Sequence, residues 1–343
     1  MHDLPPADEP RLTVCSVSFH NARHLALNRR LAATLAGTGV LPWVVAENTP
    51  PGGVDRLPED TQGFKVIPGV DAAGHRPNYQ HTEALQRCLE HVKTRFLLVL
   101  DPDFYLLRPE WAKTVPAHML AHRLAFFGVP WHPKHLEKYR YFPCVHCMFI
   151  DLAQVPVERL DFRPACADRS EGGAARRNGW LAGIGRALTL SGRRKDYRDT
   201  GTRVYRAFAR HPTLQHECAT PVYRLPEEFP GTANPLSPRA RLFESLLPDS
   251  LCYLPKRKDS YTRTGFREAT GVRLPAHWEE FMWGAAPFGF HVRRNAAKDG
   301  RDENAELALL EQALEALAFA RGRNPDPRQA SSMRGPAAPV PGA

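Results

Sequence analysis

Apolar and polar positions alternate in blocks along the first half of the chain, and the blocks change period. Leu12 to Phe19 is an apolar run that closes in the turn-forming pair His20-Asn21, which predicts a strand, and a helix is predicted to follow from Ala22 to Leu35. Trp43 to Ala46 predicts a second strand, trailed by a Pro/Gly-rich loop through Gly53. A short strand is expected around Phe64 to Ile67 and a helix from about Tyr79 to Val92. Phe96 to Leu100 is five apolar residues bounded by charge, the pattern of a strand buried on both faces. Strands alternating with helices in this way predict a largely parallel, doubly wound sheet, whose ligands gather at the carboxyl ends of the strands.

Beyond Trp111 the pattern loosens. Leu124 to Val129 and Cys144 to Ile150 are further strand candidates, separated by a loop rich in His, Lys and Tyr. Arg169 to Arg210 is strongly basic, with a helix expected from Asp199 to Ala209. Glu303 to Arg321 reads as an amphipathic helix, and the Pro/Ala/Arg/Ser-rich stretch after it as disordered.

Composition narrows the class without naming it. The 343 residues, 43% of them hydrophobic, suffice for a sizeable core, and a formal charge of +9 suits an anionic partner such as a nucleotide, a phosphorylated lipid, a nucleic acid or a membrane surface. Seven scattered cysteines do not form the dense framework of a small secreted domain, so reduced thiols and a cytoplasmic setting are expected. Residues 1–11 are polar and Pro-rich with no apolar signal core, and no run of 18 apolar residues occurs, so any membrane contact is expected to be peripheral.

The chemistry concentrates where Asp101 and Asp103 follow the buried run Phe96 to Leu100. Two carboxylates one residue apart suit a hard divalent cation, Mn²⁺ or Mg²⁺, whose shell phosphate oxygens would complete. The competing reading makes Asp101 a turn residue before Pro102 and Asp103 the cap of a helix near Pro109. Cys144, His146 and Cys147 resemble soft-metal ligands, but one strand would send their side chains to opposite faces, and no second pair at suitable spacing follows. No phosphate-binding Gly-rich loop with its Lys and Ser/Thr is present, and no Gly-X-Ser-X-Gly elbow, which removes kinases and α/β-hydrolases. The aromatic and basic residues around Tyr139-Arg140-Tyr141-Phe142 match no nucleic-acid motif.

The segment from Phe96 to Phe104 resembles the Asp-X-Asp motif of family 2 and related glycosyltransferases of the GT-A fold, and the resemblance extends over about the first 210 residues. It implies a Rossmann-like α/β fold with a mostly parallel central sheet flanked by helices and an irregular C-terminal portion. It also implies that Ser18, Phe19 and Asn21 at the end of the first strand, Glu47 and Asn48 at the end of the second, and Asn78 and His81 at the start of the helix before the metal strand meet the nucleotide, with Asp101 beside it. Asp101 and Asp103 would be metal ligands. The resemblance further implies a late histidine ligand, for which His291 is best placed, with Arg293 near phosphate, although a late histidine also serves structure alone. An acidic residue opening a helix downstream would be the base, and Asp199 fills that place, where a helix N-cap is the other reading; the usual Glu-Asp pair is here Arg198-Asp199. Lys256-Arg257-Lys258 would meet a diphosphate or an anionic acceptor, or form a solvated loop.

The expected organisation is a flexible 1–11, a donor-binding half over 12–110, an acceptor-binding and catalytic half of the same domain over 111–321, and a disordered 322–343. The expected activity is divalent-metal-dependent, inverting transfer from a nucleoside diphosphate-sugar donor to an acceptor hydroxyl, with no nucleic-acid partner. Two rivals stand beside it: a catalytically inactive glycosyltransferase-like binding protein, and a sugar-phosphate nucleotidyltransferase, which would want a Gly-rich basic loop that His20 to Arg30 lacks.

Overall fold

Strand β1 (Leu12–Ser18) is buried along all seven residues, so both of its faces must be covered, and it sits inside a sheet. The computed structural model describes residues 12–39, 41–70, 77–136, 138–164, 199–224, 246–292 and 302–319. After β1 come α1 (Ala22–Leu35), β2 (Trp43–Glu47), β3 (Lys65–Pro68), α2 (Pro77–Leu89), β4 (Phe96–Leu100), β5 (Phe104–Leu106) and α3 (Trp111–Ala121). They are followed by β6 (Leu124–Gly128), β7 (Cys147–Asp151), α4 (Thr202–Phe208), β8 (Gln215–Cys218), β9 (Thr220–Pro221), α5 (Phe266–Thr270), β10 (Glu279–Trp283), β11 (Ala286–His291) and α6 (Glu303–Leu314).

Seven strands form one sheet in the order β3-β2-β1-β4-β7-β6-β8. Its pairings are parallel except that β7 runs antiparallel to both neighbours, β4 and β6. The chain winds outward from β1 to β2 and β3, then returns across β1 to β4, and the strand order reverses between β1 and β4. This is a Rossmann-like α/β architecture, with a mainly parallel central sheet flanked by helices. Such a reversal leaves a crevice at the carboxyl ends of β1 and β4. Helices α2 and α3 pack on the sheet, and the core is continuous from Leu12 and Val45 through Phe96 and Leu98 to Phe126, Phe149 and Phe208.

The C-terminal portion, which reads as irregular in sequence, contains a second sheet. Strands β5, β11, β10 and β9 pair antiparallel in that order. Their patterns conceal them: β5 has three residues and β9 two, too short to show a period.

Several boundaries move. Strand β7 begins at Cys147 rather than Cys144, because Cys144 to His146 form a turn whose Cys144 carbonyl accepts from the Cys147 amide at 3.3 Å. Helix α4 begins at Thr202, after Gly201 turns the chain at φ 81. Helix α6 gives way to a π-helical turn over Glu315–Phe319. The chain divides into two compact units, 1–294 and 295–343, and α6 belongs to the second, opened by Asp302 accepting from the Asn304 amide. Segments 1–11 and 322–343, most of the basic stretch 169–210, and Arg293 lie outside the described residues. Among the described residues no helix is long and apolar enough to cross a membrane, and Cys15, Cys88, Cys144, Cys147, Cys218 and Cys252 are free thiols.

Candidate metal and donor site

The loop Asp101-Pro102-Asp103 leaves the end of β4 with most of its backbone groups hydrogen-bonded. The Asp101 amide donates to the His146 carbonyl at 3.0 Å, and the Asp101 carbonyl accepts from the Phe104 amide at 3.0 Å. The Asp103 carbonyl accepts from the Val292 amide at 3.0 Å. Pro102 has no amide to satisfy, and its carbonyl accepts from the buried Asn28 side chain of α1 at 2.7 Å. A loop pinned to α1, to the start of β7 and to the end of β11 holds its two carboxylates in place.

Strand register decides what faces them. Leu100 pairs with Cys147 between β4 and β7, so the next residue out on each strand, Asp101 and His146, are neighbours, with Asp101 Oδ2 3.8 Å from His146 Nε2. Phe104 pairs with His291 between β5 and β11, which brings His291 Nε2 to 3.2 Å from Asp103 Oδ1 across 188 residues of sequence. Glu279 pairs with His291 between β10 and β11, and its Oε2 lies 3.1 Å from His291 Nδ1. From α2, His81 Nε2 reaches to 3.7 Å from Asp101 Oδ1. Asp101, His146 and His291 each turn one ligand atom inward, all within 4.8 Å of one another.

Charge in this cluster is densely compensated. Burial and the neighbouring Asp103 push the Asp101 carboxyl up to about 7, against the pull of His291. Burial pushes the His81 imidazole down to about 4 although Asp103 attracts its proton. Burial would depress His291 as well, but Asp103 and Glu279 on its two nitrogens outweigh it and raise the ring to about 10. Glu279 is fully buried, which disfavours its charge, yet Lys134, His135 and His291 hold it well below the usual carboxylate range. Its Oε1 is 2.5 Å from His135 Nε2 and 3.3 Å from Lys134 Nζ. The demand for positive charge between Asp101 and Asp103 is the condition under which carboxylates hold a cation.

The residues expected to meet a nucleotide lie along the same sheet edge. Ser18 pairs with Glu47 in the β1/β2 register, and the buried Ser18 Oγ has no hydrogen-bond partner among the described residues. Phe19 is half exposed, with its ring edge-on to His20 at 4.5 Å. Asn21 precedes α1 without a side-chain cap bond. The Glu47 carboxylate is held by the Pro/Gly loop, accepting from the Thr49 amide at 2.6 Å and the Leu57 amide at 2.7 Å. Asn48 ties three segments together, with its Oδ1 accepting from the Val70 amide and its Nδ2 donating to the Gln80 carbonyl. Asn78 is exposed in the first turn of α2.

Asp199 stands ahead of α4 rather than at its cap, which is Gly201, and its Oδ2 is ion-paired with Lys138 Nζ. The Asp199 backbone carbonyl, not the carboxylate, receives the Thr202 hydroxyl at 2.8 Å. Lys138 lies over the Trp131 ring at 4.3 Å, and Trp131 packs edge-on to His146 at 4.5 Å, so a short chain of contacts joins Asp199 to the aspartate cluster. Asp103 caps no helix, since α3 starts at Trp111 after Glu110. Arg257 of the basic cluster is exposed and lies over the Tyr141 ring at 4.9 Å. Sequence reasoning missed His146 and Glu279. For His146 the signal was present in Cys144-Val145-His146-Cys147, but a strand was assumed where a turn stands; for Glu279 there was none, because only the β10/β11 register gives it a partner.

No family model and no curated protein matches the chain. Among solved structures it is similar to the mannosyltransferase PcManGT from Pyrobaculum calidifontis in complex with GDP-Man and Mn²⁺, at 14% identity over 45% of this chain and 49% of that one, with a TM-score of 0.32. It is similar to S. aureus TarS residues 1–349 with UDP-GlcNAc at 14% identity, covering 44% and 48%, with a TM-score of 0.31. A third similarity, to a glycosyltransferase involved in glycosylation of the major capsid of PBCV-1, has 13% identity over 61% and 82%, with a TM-score of 0.31. The matched part thus spans about half the length of the first two chains. Scores of this size leave the functional reading to the side chains themselves.

Proposed function

We propose that the protein is a glycosyltransferase that moves a sugar from a nucleoside diphosphate-sugar to an acceptor hydroxyl, with inversion and with a divalent cation at Asp101, Asp103 and His291. The observation that carries this is the cluster itself: two register-fixed carboxylates with imidazole neighbours, at the strand-order reversal between β1 and β4 where nucleotide ligands gather. The donor set fits Mn²⁺ or Mg²⁺ in charge and in hardness, with carboxylates that keep 15–18% exposure in front of more deeply buried imidazoles. A divalent cation held there would supply charge stabilisation for the departing diphosphate.

The chain's own residues supply the rest. Residues 12–110 form the donor half, with Ser18, Phe19, Asn21, Asn48, Asn78 and His81 along the nucleotide edge and Glu47 shaping the loop beside it. Asp199 takes the acceptor proton as the acceptor oxygen bonds to the anomeric carbon, while the bond from that carbon to the diphosphate oxygen breaks and its electron pair leaves with the nucleotide. Lys138 orients the Asp199 carboxylate through its ion pair. Incubation with a panel of nucleotide sugars and Mn²⁺ should release nucleoside diphosphate from one of them, and Asp103→Ala should abolish that release while the protein stays folded. Undiminished release from Asp103→Ala would sink the metal assignment, and no release from any donor would favour a binding protein on the same fold.

A further inference from the structure

The two registers that frame the loop place one imidazole beside each aspartate, and the second imidazole changes what the site can hold. His146 is buried, with its Nε2 facing Asp101 Oδ2 and its ring edge-packed on Trp131. The His146 and His291 rings lie 4.1 Å apart, inclined by 33°, so both can serve one ion. Glu279 occupies Nδ1 of His291, so Nε2, which faces Asp103 Oδ1 at 3.2 Å, is the atom that ring would turn to a cation. Mg²⁺ prefers oxygen and keeps its water, whereas imidazole suits first-row transition metals. An all-oxygen site would not discriminate in this way.

Resting on the transferase reading above, we propose that His146 is a further ligand of the cation beside Asp101, Asp103 and His291, and that the pair of imidazoles selects a first-row transition-metal ion over Mg²⁺. Glu279 is a positioning residue in this arrangement: it acts through His291 and does not touch the ion.

The test needs no turnover. Protein stripped with a chelator is titrated with Mn²⁺, and free Mn²⁺ is followed by its paramagnetic resonance signal, with Mg²⁺ added as competitor. The parent should retain Mn²⁺ against a Mg²⁺ excess of about a hundredfold, and nitrogen couplings in its spin-echo spectrum should come from two imidazoles. His146→Gln should bind Mn²⁺ about tenfold more weakly or worse, show one imidazole, and lose most of its preference over Mg²⁺. Unchanged Mn²⁺ affinity in His146→Gln, or easy displacement by Mg²⁺ in the parent, would overturn the proposal. Should the variant not fold, the parent spectrum alone decides: one imidazole or none refutes the ligand set, and two uphold it. Nucleoside diphosphate release is measured separately. Two-imidazole Mn²⁺ binding with no donor turnover would retire the transferase reading and keep the site, whereas turnover with a one-imidazole spectrum would do the reverse.

Discussion

Glu279 is a carboxylate with no access to solvent that three cationic or protonatable side chains share, Lys134, His135 and His291. Removing its charge strands those partners in a low-dielectric interior, which is more costly than losing one favourable contact. Glu279→Gln should therefore lower unfolding stability by about 3 kcal/mol or more, read from the denaturant midpoint, and should weaken Mn²⁺ binding through the freed His291 ring. Asn28 is a milder case at the same scale. Asn28→Ala leaves the Pro102 carbonyl buried without a donor, and a loss of about 1–3 kcal/mol is expected, with weaker cation binding as the aspartate loop loosens.

The elements matter here through register. Gly289 sits in β11 where a Cβ would lie 2.5 Å from the Tyr105 carbonyl of β5, so an added methyl must push the two strands apart. Gly289→Ala should cost about 1–3 kcal/mol and also impair cation binding, because the same pairing sets His291 beside Asp103. Gly284, in the turn between β10 and β11, has open space around its Cβ position but a φ of +60. Gly284→Ala should cost only about 1 kcal/mol of backbone strain and leave the site intact. Comparing the two variants by thermal melting and by Mn²⁺ titration separates damage to the pairing from damage to a turn.

At the scale of the whole molecule, buried neutral histidines set the response to acid. His132 is buried, donates Nε2–H to the Val222 carbonyl at 2.9 Å, and offers Nδ1 to the Lys134 amide. Burial, reinforced by Lys134, depresses it to about 3. Between about pH 6.5, where the unfolded chain takes up this proton, and pH 3, the unfolded state binds more protons than the folded one, so stability rises with pH and is lost as pH falls. His132→Gln should flatten the acid limb of the stability-pH profile by up to about 1.4 kcal/mol per pH unit relative to the parent. Metal linkage acts on the same global equilibrium. Mn²⁺ at about a hundred times its Kd should add about 2.7 kcal/mol, reversed by a chelator, if the unfolded chain does not bind it.

What the sequence determined by itself is the frame of the first sheet around β1 and β4. Buried parallel strands advertise themselves as unbroken apolar runs, so Phe96 to Leu100 and the helix Ala22 to Leu35 are legible with their bounds, and the aspartates at the end of β4 stand out against that run. The identity of the residues facing those aspartates was decided only in three dimensions. Glu279 carries no periodic or motif signal, the signal at His146 is masked by reading Cys144 to Ile150 as one strand, and the short strands β5 and β9 carry none; antiparallel pairing across 188 residues joins Asp103 to His291. Local patterning reports burial and period along one segment, whereas register between distant strands depends on which partner each edge finds once the sheets form. The carboxylates, and His291 as a candidate beside them, were thus written in the chain, whereas His146 and Glu279 joined them only through the fold.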